Sequence, residues 1–592
     1  MIKKLLGSVR EFKRATILAP VCVSLEVVMD VVIPLLMALL IDNGIKGNGG
    51  AGDLPYILRM GGVLIACCLI SLTFGVLSGK YAARAMSGFS RNLRKDMFTK
   101  VQTFSFANID KFSTASLVTR LTTDVMSVQN AFMMIIRVAV RGPLMMIFSL
   151  IMASTFSWQL SLVFLAAVPI LAGGLLLIAS HVHPLFRRMF ETMDRLNRVV
   201  QENLRGIRVV KSFVRQDHEI EKFKTESSGI YRLNARAERL LALNQPLMQF
   251  AMYFSVLIVS WLGAMMIVNA HGAEGAMTQG DLFALIQYAG QILMSLMMLS
   301  MIYVMITISR ASAGRIVEVL DEKSDIVDPA HPITEVKDGS VEFRDVSFSY
   351  SKDLSNCCLT DVRFKIESGQ TVGILGGTGS SKSSLVQLIP RLYDATAGAV
   401  YVGGVNVREY DIPVLRDAVA MVLQKNELFA GTIYENLRWG NEQATDAEAE
   451  KAARLAQADD FIRQMPEGYN TFIEQGGSNV SGGQKQRLTI ARALLKKPKI
   501  LILDDSTSAV DTRTDALIRR ALREYMPETT KFIIAQRVAS VEDADIIIVL
   551  DGGTINGLGT HAELLERNEI YREVYESQKK GGGEDEQAEA TA

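Results

Sequence analysis

The sequence predicts an all-α membrane domain of six spanning helices followed by an α/β domain. Three observations carry that prediction. Six apolar stretches, near residues 15–41, 56–79, 132–157, 159–181, 244–270 and 282–308, are each long enough to cross a hydrocarbon core of roughly 30 Å. A glycine-rich turn at 376–383 lies between an apolar strand and a helical pattern. A buried-type strand, Leu501-Ile-Leu-Asp504-Asp505, ends in paired carboxylates.

Bulk properties agree. A chain of 592 residues exceeds one ordinary core. Its mean hydropathy of +0.20 comes from apolar residues concentrated in the first half. Formal net charge is zero, which gives no electrostatic case for nucleic acid as a partner. The cysteines Cys22, Cys67, Cys68, Cys357 and Cys358 include two adjacent pairs, unsuited to a disulfide framework or a spaced metal site. They read as inert thiols in a reducing compartment.

Residues 1–14 are basic and amphipathic, with Leu5, Leu6, Val9 and Phe12 among Lys3, Lys4, Arg10, Lys13 and Arg14. With no small-residue cleavage site and a full span following, the segment is expected to lie on the cytoplasmic membrane surface. In lipid every backbone polar group must be satisfied internally, so the spans are helices. The third and fourth meet at Ser157-Trp158-Gln159, a short hairpin. Lys and Arg crowd segments 80–130 and 182–240, whereas 42–54 holds only Lys46 and 270–281 has neither residue. Both termini are therefore expected in the cytoplasm of a multi-pass plasma-membrane protein surrounded by lipid. The basic segments are too long for simple loops, and the periodicity of Val199, Leu204, Ile207, Val210 and Phe213 predicts helices extending from the membrane.

Some membrane residues are polar. Glu26 and Asp30 share one face of the first span. They suit either a cationic substrate, pairing with Arg137 or Arg141 of the third span, or a position near the interface. Gln245 and Gln249 share a face of the fifth span, and Gln287 and Gln291 one of the sixth. Met294, Met297, Met298, Met301 and Met305 form a polarizable stripe, suited to promiscuous binding or to plain packing.

Residues 1–322 thus form the membrane domain, and the Pro- and charge-rich segment 323–339 reads as a linker. The second domain covers 340–578, opening on the alternating strand Val341 to Tyr350. Strand Val372-Gly-Ile-Leu, the turn Gly376-Gly377-Thr378-Gly379-Ser380-Ser381-Lys382-Ser383-Ser384 and the pattern Leu385, Ile389, Leu392 give the context a P-loop requires. Backbone N–H groups cradle phosphate oxygens, Lys382 brings a point charge to the outer phosphates, and the Ser383 hydroxyl ligates Mg²⁺. Ser381 replaces the glycine before the lysine, costing ~1 kcal/mol if φ is positive. ATP binding is expected to be weakened but to survive. Asp504 is placed to hold Mg²⁺ through water. Residues 579–592 are glycine-rich and acidic, with disorder expected.

Val480-Ser481-Gly482-Gly483-Gln484 resembles the signature of ATP-binding-cassette proteins. Gln424 resembles their Q-loop, which also touches Mg²⁺; Tyr350 resembles their adenine-stacking aromatic, and Ser508-Ala509-Val510-Asp511 their D-loop. Six spans and one cassette resemble a half-size ABC exporter of the multidrug type, whose cassette carries a helical subdomain. The resemblance implies head-to-tail pairing of two cassettes, with each ATP between one P-loop and the other chain's signature. Lys382, Ser383, Gln424 and Asp504 would then serve this chain's nucleotide, and Ser481, Gly482, Gly483 and Gln484 the partner's. Asn108 to Thr119 and Arg215 to Lys224 resemble the turns that dock on a cassette, and Glu474-Gln475-Gly476-Gly477 the contact loop that faces them.

Two positions depart from that family's pattern. Asp505 stands where a glutamate usually polarises the attacking water, and Gln536 where a histidine usually contacts the γ-phosphate. A carboxylate withdrawn by roughly 1 Å loses on the order of 10²-fold through misplacement, and an amide carries no proton. All six histidines, His181, His183, His218, His271, His331 and His561, lie elsewhere. The expectation is a heterodimer that exports amphipathic small molecules, in which this chain's own site is degenerate and its signature completes the partner's. A homodimer, a lipid or peptide exporter, and an ATP-gated sensor or channel are the alternatives.

Overall fold

The computed structural model describes residues 1–47, 52–269, 277–505 and 510–589, with side chains through Lys579. Parts of two loops, at 48–51 and 270–276, and Ser508 and Ala509 of the expected D-loop lie outside the described residues. Two compact units result, one of Met1–Thr103 with Ser113–Glu322 and one of Phe104–Phe112 with Lys323–Ala592.

The first unit is all helix. Its long helices are α1 (Lys13–Leu39), α2 (Leu54–Gln102), α4 (Val125–Phe156), α5 (Trp158–Arg205), α6 (Gln216–Leu241), α7 (Asn244–Asn269) and α8 (Gln279–Asp321); α3 (Phe106–Phe112) belongs to the second unit. They make six segments long and apolar enough to span a membrane. Ser157 separates α4 from α5: its extended backbone (φ −158°) breaks the helix, and its side chain accepts the Leu160 N–H. The segment before α1 is clamped to α2. Ser8 Oγ and Arg10 donate to Asp96, each at 2.8 Å, Arg91 donates to Glu11 at 2.5 Å, and the Phe12 ring fills the space that a Cβ on Gly88 would take. Ile2 and Leu6 stay exposed beside this clamp.

Glu26 and Asp30 take the pairing reading and not that of a free acidic pair awaiting a cation. Arg141 donates to Glu26 Oε1 at 2.5 Å and to Asp30 Oδ2 at 2.8 Å. Ser71 donates to Asp30 Oδ1 at 2.8 Å and Gln291 to the Asp30 carbonyl at 3.0 Å, so α1, α2, α4 and α8 meet in one polar knot. The alternative partner Arg137 has no ion pair among the described residues. An apolar layer of Val23, Val27, Val31, Leu285, Tyr288 and Ile292 packs around the knot.

Beside a two-stranded pairing of 431–432 with 472–473, the second unit forms two larger sheets where β-branched and aromatic runs alternate or are wholly buried. One is antiparallel and contains β1 (Val341–Phe348), β2 (Leu359–Ile366), β4 (Ala397–Val402) and β5 (Val405–Asn406), in the order β2-β1-β4-β5. The other contains β3 (Thr371–Gly376), β6 (Val419–Val422), β7 (Ile500–Asp504), β8 (Thr530–Ile534), β9 (Ile546–Asp551) and β10 (Thr554–Gly559), in the order β10-β9-β3-β8-β7-β6. Its inner strands are parallel, with Ile534 opposite both Ile374 and Asp504, so the ends of β3, β7 and β8 come together. α9 (Lys382–Gln387) follows β3 directly. A helical subdomain with α10 (Ile433–Arg438), α11 (Asp446–Leu455) and α12 (Gly482–Leu495) packs on an alanine-rich core including Ala449, Ala452 and Ala453. α13 (Thr512–Tyr525), α14 (His561–Arg567) and α15 (Glu569–Glu589) complete the unit. The backbone of α15 continues through the segment from 579, where irregular chain is expected; helix-forming Glu and Gln flank the glycine run.

The turn expected to dock at 108–119 divides between the units. Residues 104–112 pack on the second: Tyr393 donates to Asp110 at 2.8 Å, the Phe106 ring lies 6.1 Å from that of Tyr393, and Asn108 donates to the Lys323 carbonyl at 3.2 Å. Residues 113–119 and the second expected turn, 215–224, belong to the first unit.

Candidate functional site

The buried β3 delivers the chain into the phosphate-binding loop at its carboxyl end. Gly376 (φ 156°) must lack a side chain, because a Cβ there would lie 2.3 Å from the Leu550 carbonyl. Gly379 (φ 83°) makes the following turn. Ser381, at the N-cap of α9, has φ 67° and ψ 26°, a left-handed conformation that glycine adopts without penalty. The strain belongs to the folded loop, and a glycine there would carry none. Ser381→Gly is expected to raise stability by roughly 0.5–1 kcal/mol, the relieved strain less the added chain entropy of glycine. ATP affinity should stay within about twofold. Denaturant midpoints and nucleotide titrations read the two quantities separately.

Lys382 Nζ donates to the carbonyls of Gly376 and Gly377, both at 2.8 Å, and so sits across the loop it follows. Burial lowers its pKa, opposed by the charges of Asp505 and Asp504. Phosphate oxygens would supply a stronger counter-charge. Ser383 Oγ donates to Asp504 Oδ1 at 3.0 Å. Burial pushes the Asp504 carboxyl above its ordinary range; the Ser383 hydrogen bond opposes this, and the neighbouring Asp505 charge adds to it. The hydroxyl, the carboxylate and the Gln424 amide are an all-oxygen donor set of the kind Mg²⁺ takes together with phosphates. No group of three or more His, Cys, Asp or Glu converges among the described residues.

Asp505 follows β7 with φ 48°, and its N–H donates to the Ile534 carbonyl at 3.1 Å. Aspartate tolerates this left-handed backbone better than most residues. Its carboxylate is 2.7 Å from Gln536 Nε2 and 3.4 Å from Gln424 Nε2, both on Oδ2. The structure thus brings together Asp505, expected at the water-polarising position, Gln536, expected at the γ-phosphate position, and the Q-loop Gln424, around one carboxylate oxygen. They line a cleft of ≈570 Å³ with Gly376 to Ser384 and Asp504.

Tyr350 stands beside the cleft, 52% exposed, with its hydroxyl 2.9 Å from Ser384 Oγ. Its ring meets those of Phe348 and Tyr393 edge-on, at 4.8 and 5.2 Å. Ser481 caps α12: its hydroxyl accepts the Gln484 N–H at 3.3 Å while Gln484 Oε1 accepts the Ser481 N–H at 2.9 Å. This capping box leaves the first amides of α12 facing outward. Ser481, Gly482, Gly483 and Gln484 are not in the wall of this chain's own cleft. The loop Glu474–Gly477 is shaped by positive φ at Gly476 (69°) and Gly477 (67°).

Ile570, Tyr571 and Val574 of α15 also line the cleft, which the sequence does not announce. The only local signal is an apolar helical spacing, common to any amphipathic helix. In the first unit, Gln287, Gln291 and Met298 line a cavity of ≈490 Å³ with Asp30 and Arg141. Gln245, Gln249, Met297, Met301 and Met305 line a second of ≈880 Å³, and Met294 borders both.

A family model described as the ABC transporter transmembrane region matches residues 16–296, and one described as ABC transporter matches 359–508. An uncharacterized ABC transporter ATP-binding protein of Bacillus subtilis is 36% identical over 577 residues, 98% of each chain. A fatty acid ABC transporter ATP-binding/permease protein of Mycobacterium bovis is 36% identical over 482 residues, covering 81% of this chain and 75% of its own. Among solved structures, a bacterial Atm1-family ABC exporter with ATP bound aligns with a TM-score of 0.82 at 25% identity, covering 96% of this chain and 99% of that one.

Proposed function

Because this chain belongs to the ABC transporters, as a half-size exporter whose six membrane helices precede one ATP-binding cassette, we propose that it is the degenerate-site subunit of a heterodimer. ATP-driven transport by a multi-pass membrane protein, working as a dimer, is the premise. The proposal concerns how the work is divided.

One observation carries it: the Gln536 amide, and no imidazole, is the group bonded to the Asp505 carboxylate at 2.7 Å. A carboxamide can donate to a γ-phosphate or to this carboxylate, but it cannot take or give a proton. Asp505 is one methylene shorter than glutamate and has its Oδ2 engaged by that amide. Lys382 and the loop amides bind ATP, Ser383 and Asp504 hold Mg²⁺, Gln424 borders the metal, and Tyr350 stacks on adenine. The attacking water is poorly held. The capping box at Ser481 presents the amides of Gly482 and Gly483 to the partner's nucleotide. Both termini lie in the cytoplasm and the membrane is the plasma membrane.

Amphipathic small molecules are the proposed cargo. Both membrane cavities mix methionine with glutamine, and one adds the Asp30–Arg141 pair. Lipid export is the second reading, favoured by the relative named as a fatty acid transporter.

The direct test is steady-state ATPase of the purified full chain, alone and with its partner. Brisk hydrolysis by the chain alone, at the rate of the pair, overturns the asymmetric reading. In the pair, Ser481→Arg is expected to cut turnover by at least about 10²-fold, because the guanidinium fills the space of the partner's γ-phosphate and the N-cap hydroxyl is lost. Unchanged turnover would remove the signature from the partner's site.

A further inference from the structure

We propose that Gln578, on α15, is a positioning residue for the Gln536 loop. Its carboxamide clasps that loop at two backbone points. Gln578 Nε2 donates to the Gln536 carbonyl at 2.8 Å, and Gln578 Oε1 accepts the Val538 N–H at 2.8 Å. One side chain thus does what a strand neighbour does, bracketing Arg537 from both sides. The Gln536 side chain points the other way, to Asp505 Oδ2. The loop is held at its backbone by α15 and at its functional amide by the carboxylate.

The helix that supplies the clasp is firmly seated. Tyr571 is 1% exposed and its hydroxyl lies 2.6 Å from His561 Nδ1. Asn568 Oδ1 accepts the Tyr571 N–H at 2.8 Å, and Asn568 Nδ2 donates to Asn556 Oδ1 at 2.8 Å. His561 meets the rings of Tyr571 and Tyr575 edge-on at 5.7 and 5.3 Å. Tyr571, Val574 and Gln578 fall at i, i+3 and i+7, hence on one face. The first two line the nucleotide cleft, and the third holds the loop whose Gln536 lines it as well.

This inference rests on the reading of Gln536 as the γ-phosphate contact, and the test separates the two. Gln578→Leu and Gln578→Glu are made in the full chain, reconstituted in lipid nanodiscs, in both the native background and one carrying Asp505→Glu with Gln536→His. Amide exchange at Val538 reads the clasp itself. Exchange is expected to quicken by at least about tenfold in Gln578→Leu, which loses both bonds. Gln578→Glu, which keeps the acceptor for Val538, should fall between. Turnover should drop about fivefold in Gln578→Leu, with ATP affinity and unfolding midpoint unchanged, because misplacement affects the transition state more than the bound ground state.

Unchanged exchange at Val538 overturns the clasp. Quickened exchange with unchanged turnover in both backgrounds overturns its positioning role, as does a fall in turnover that merely tracks lost stability. A native chain that is already fast, yet slows on Gln578→Leu, supports the clasp and refutes the degenerate-site reading alone.

Discussion

Asp505→Glu together with Gln536→His is expected to raise the steady-state ATPase of the purified chain by about 10²-fold. Under the proposed asymmetry each change answers one departure, Asp505 after β7 and Gln536 after β8. The glutamate advances the carboxylate by roughly 1 Å, toward the water it must orient. The imidazole offers a donor whose proton can be exchanged near neutral pH, which the amide cannot. The two changes should be strongly non-additive, because in the native chain Gln536 donates to Asp505 at 2.7 Å and each side chain sets the position of the other. Glutamate will also bear the left-handed backbone of position 505, φ 48°, less easily than aspartate, which trims the gain. A double-mutant cycle on turnover number, with ATP affinity measured alongside, gives the result. No rise in rate would place the limiting defect elsewhere.

The second large effect is expected in the membrane. Arg141→Met should destabilise the first unit by about 3–5 kcal/mol, seen as a lower unfolding midpoint and poor recovery in mild detergent. The guanidinium spans Glu26 and Asp30 at 2.5 and 2.8 Å. Its removal leaves two carboxylates together, and Glu26 Oε2 has no hydrogen-bond partner among the described residues even with arginine in place. Because Asp30 and Arg141 border the ≈490 Å³ cavity, water reaches part of the knot, and the lower end of that range applies. Adding Glu26→Gln and Asp30→Asn should restore most of the lost stability, since replacing a whole buried ionic cluster costs far less than breaking it. An unaltered midpoint in Arg141→Met would mean that the carboxylates are hydrated or neutral without their partner.

Much of this was legible in the sequence. Twenty-residue apolar stretches announce spans because lipid leaves the backbone no alternative. The P-loop announces itself because phosphate binding needs glycine conformations at fixed spacing, and even the departure at Ser381 is visible as a missing glycine. Ser157 marks the break between the third and fourth spans in the sequence, and the structure breaks the helix there. Other features depend on pairings between distant residues. The residue types of Glu26 and Asp30 admit both a substrate and an arginine, and only the packing of α1 against α4 decides. The hydrogen bond between Gln536 and Asp505 depends on β8 lying beside β7. Tyr571 lines the nucleotide cleft and Gln578 holds the Gln536 loop because α15 packs beside that loop, for which the sequence offers no signal beyond an amphipathic period.

The grouping of residues 104–112 with the second unit has a practical meaning for anyone dissecting this chain. The Tyr393 hydroxyl donates a hydrogen bond to Asp110 and its ring meets Phe106, both more than two hundred residues earlier in the polypeptide. A fragment cut at the start of the connecting segment would carry the catalytic machinery but lose this nine-residue lodger, baring an aromatic surface one ring away from Tyr350. Such a fragment is not the soluble half of the protein. It is that half with a tenant evicted, and its nucleotide chemistry should be judged accordingly.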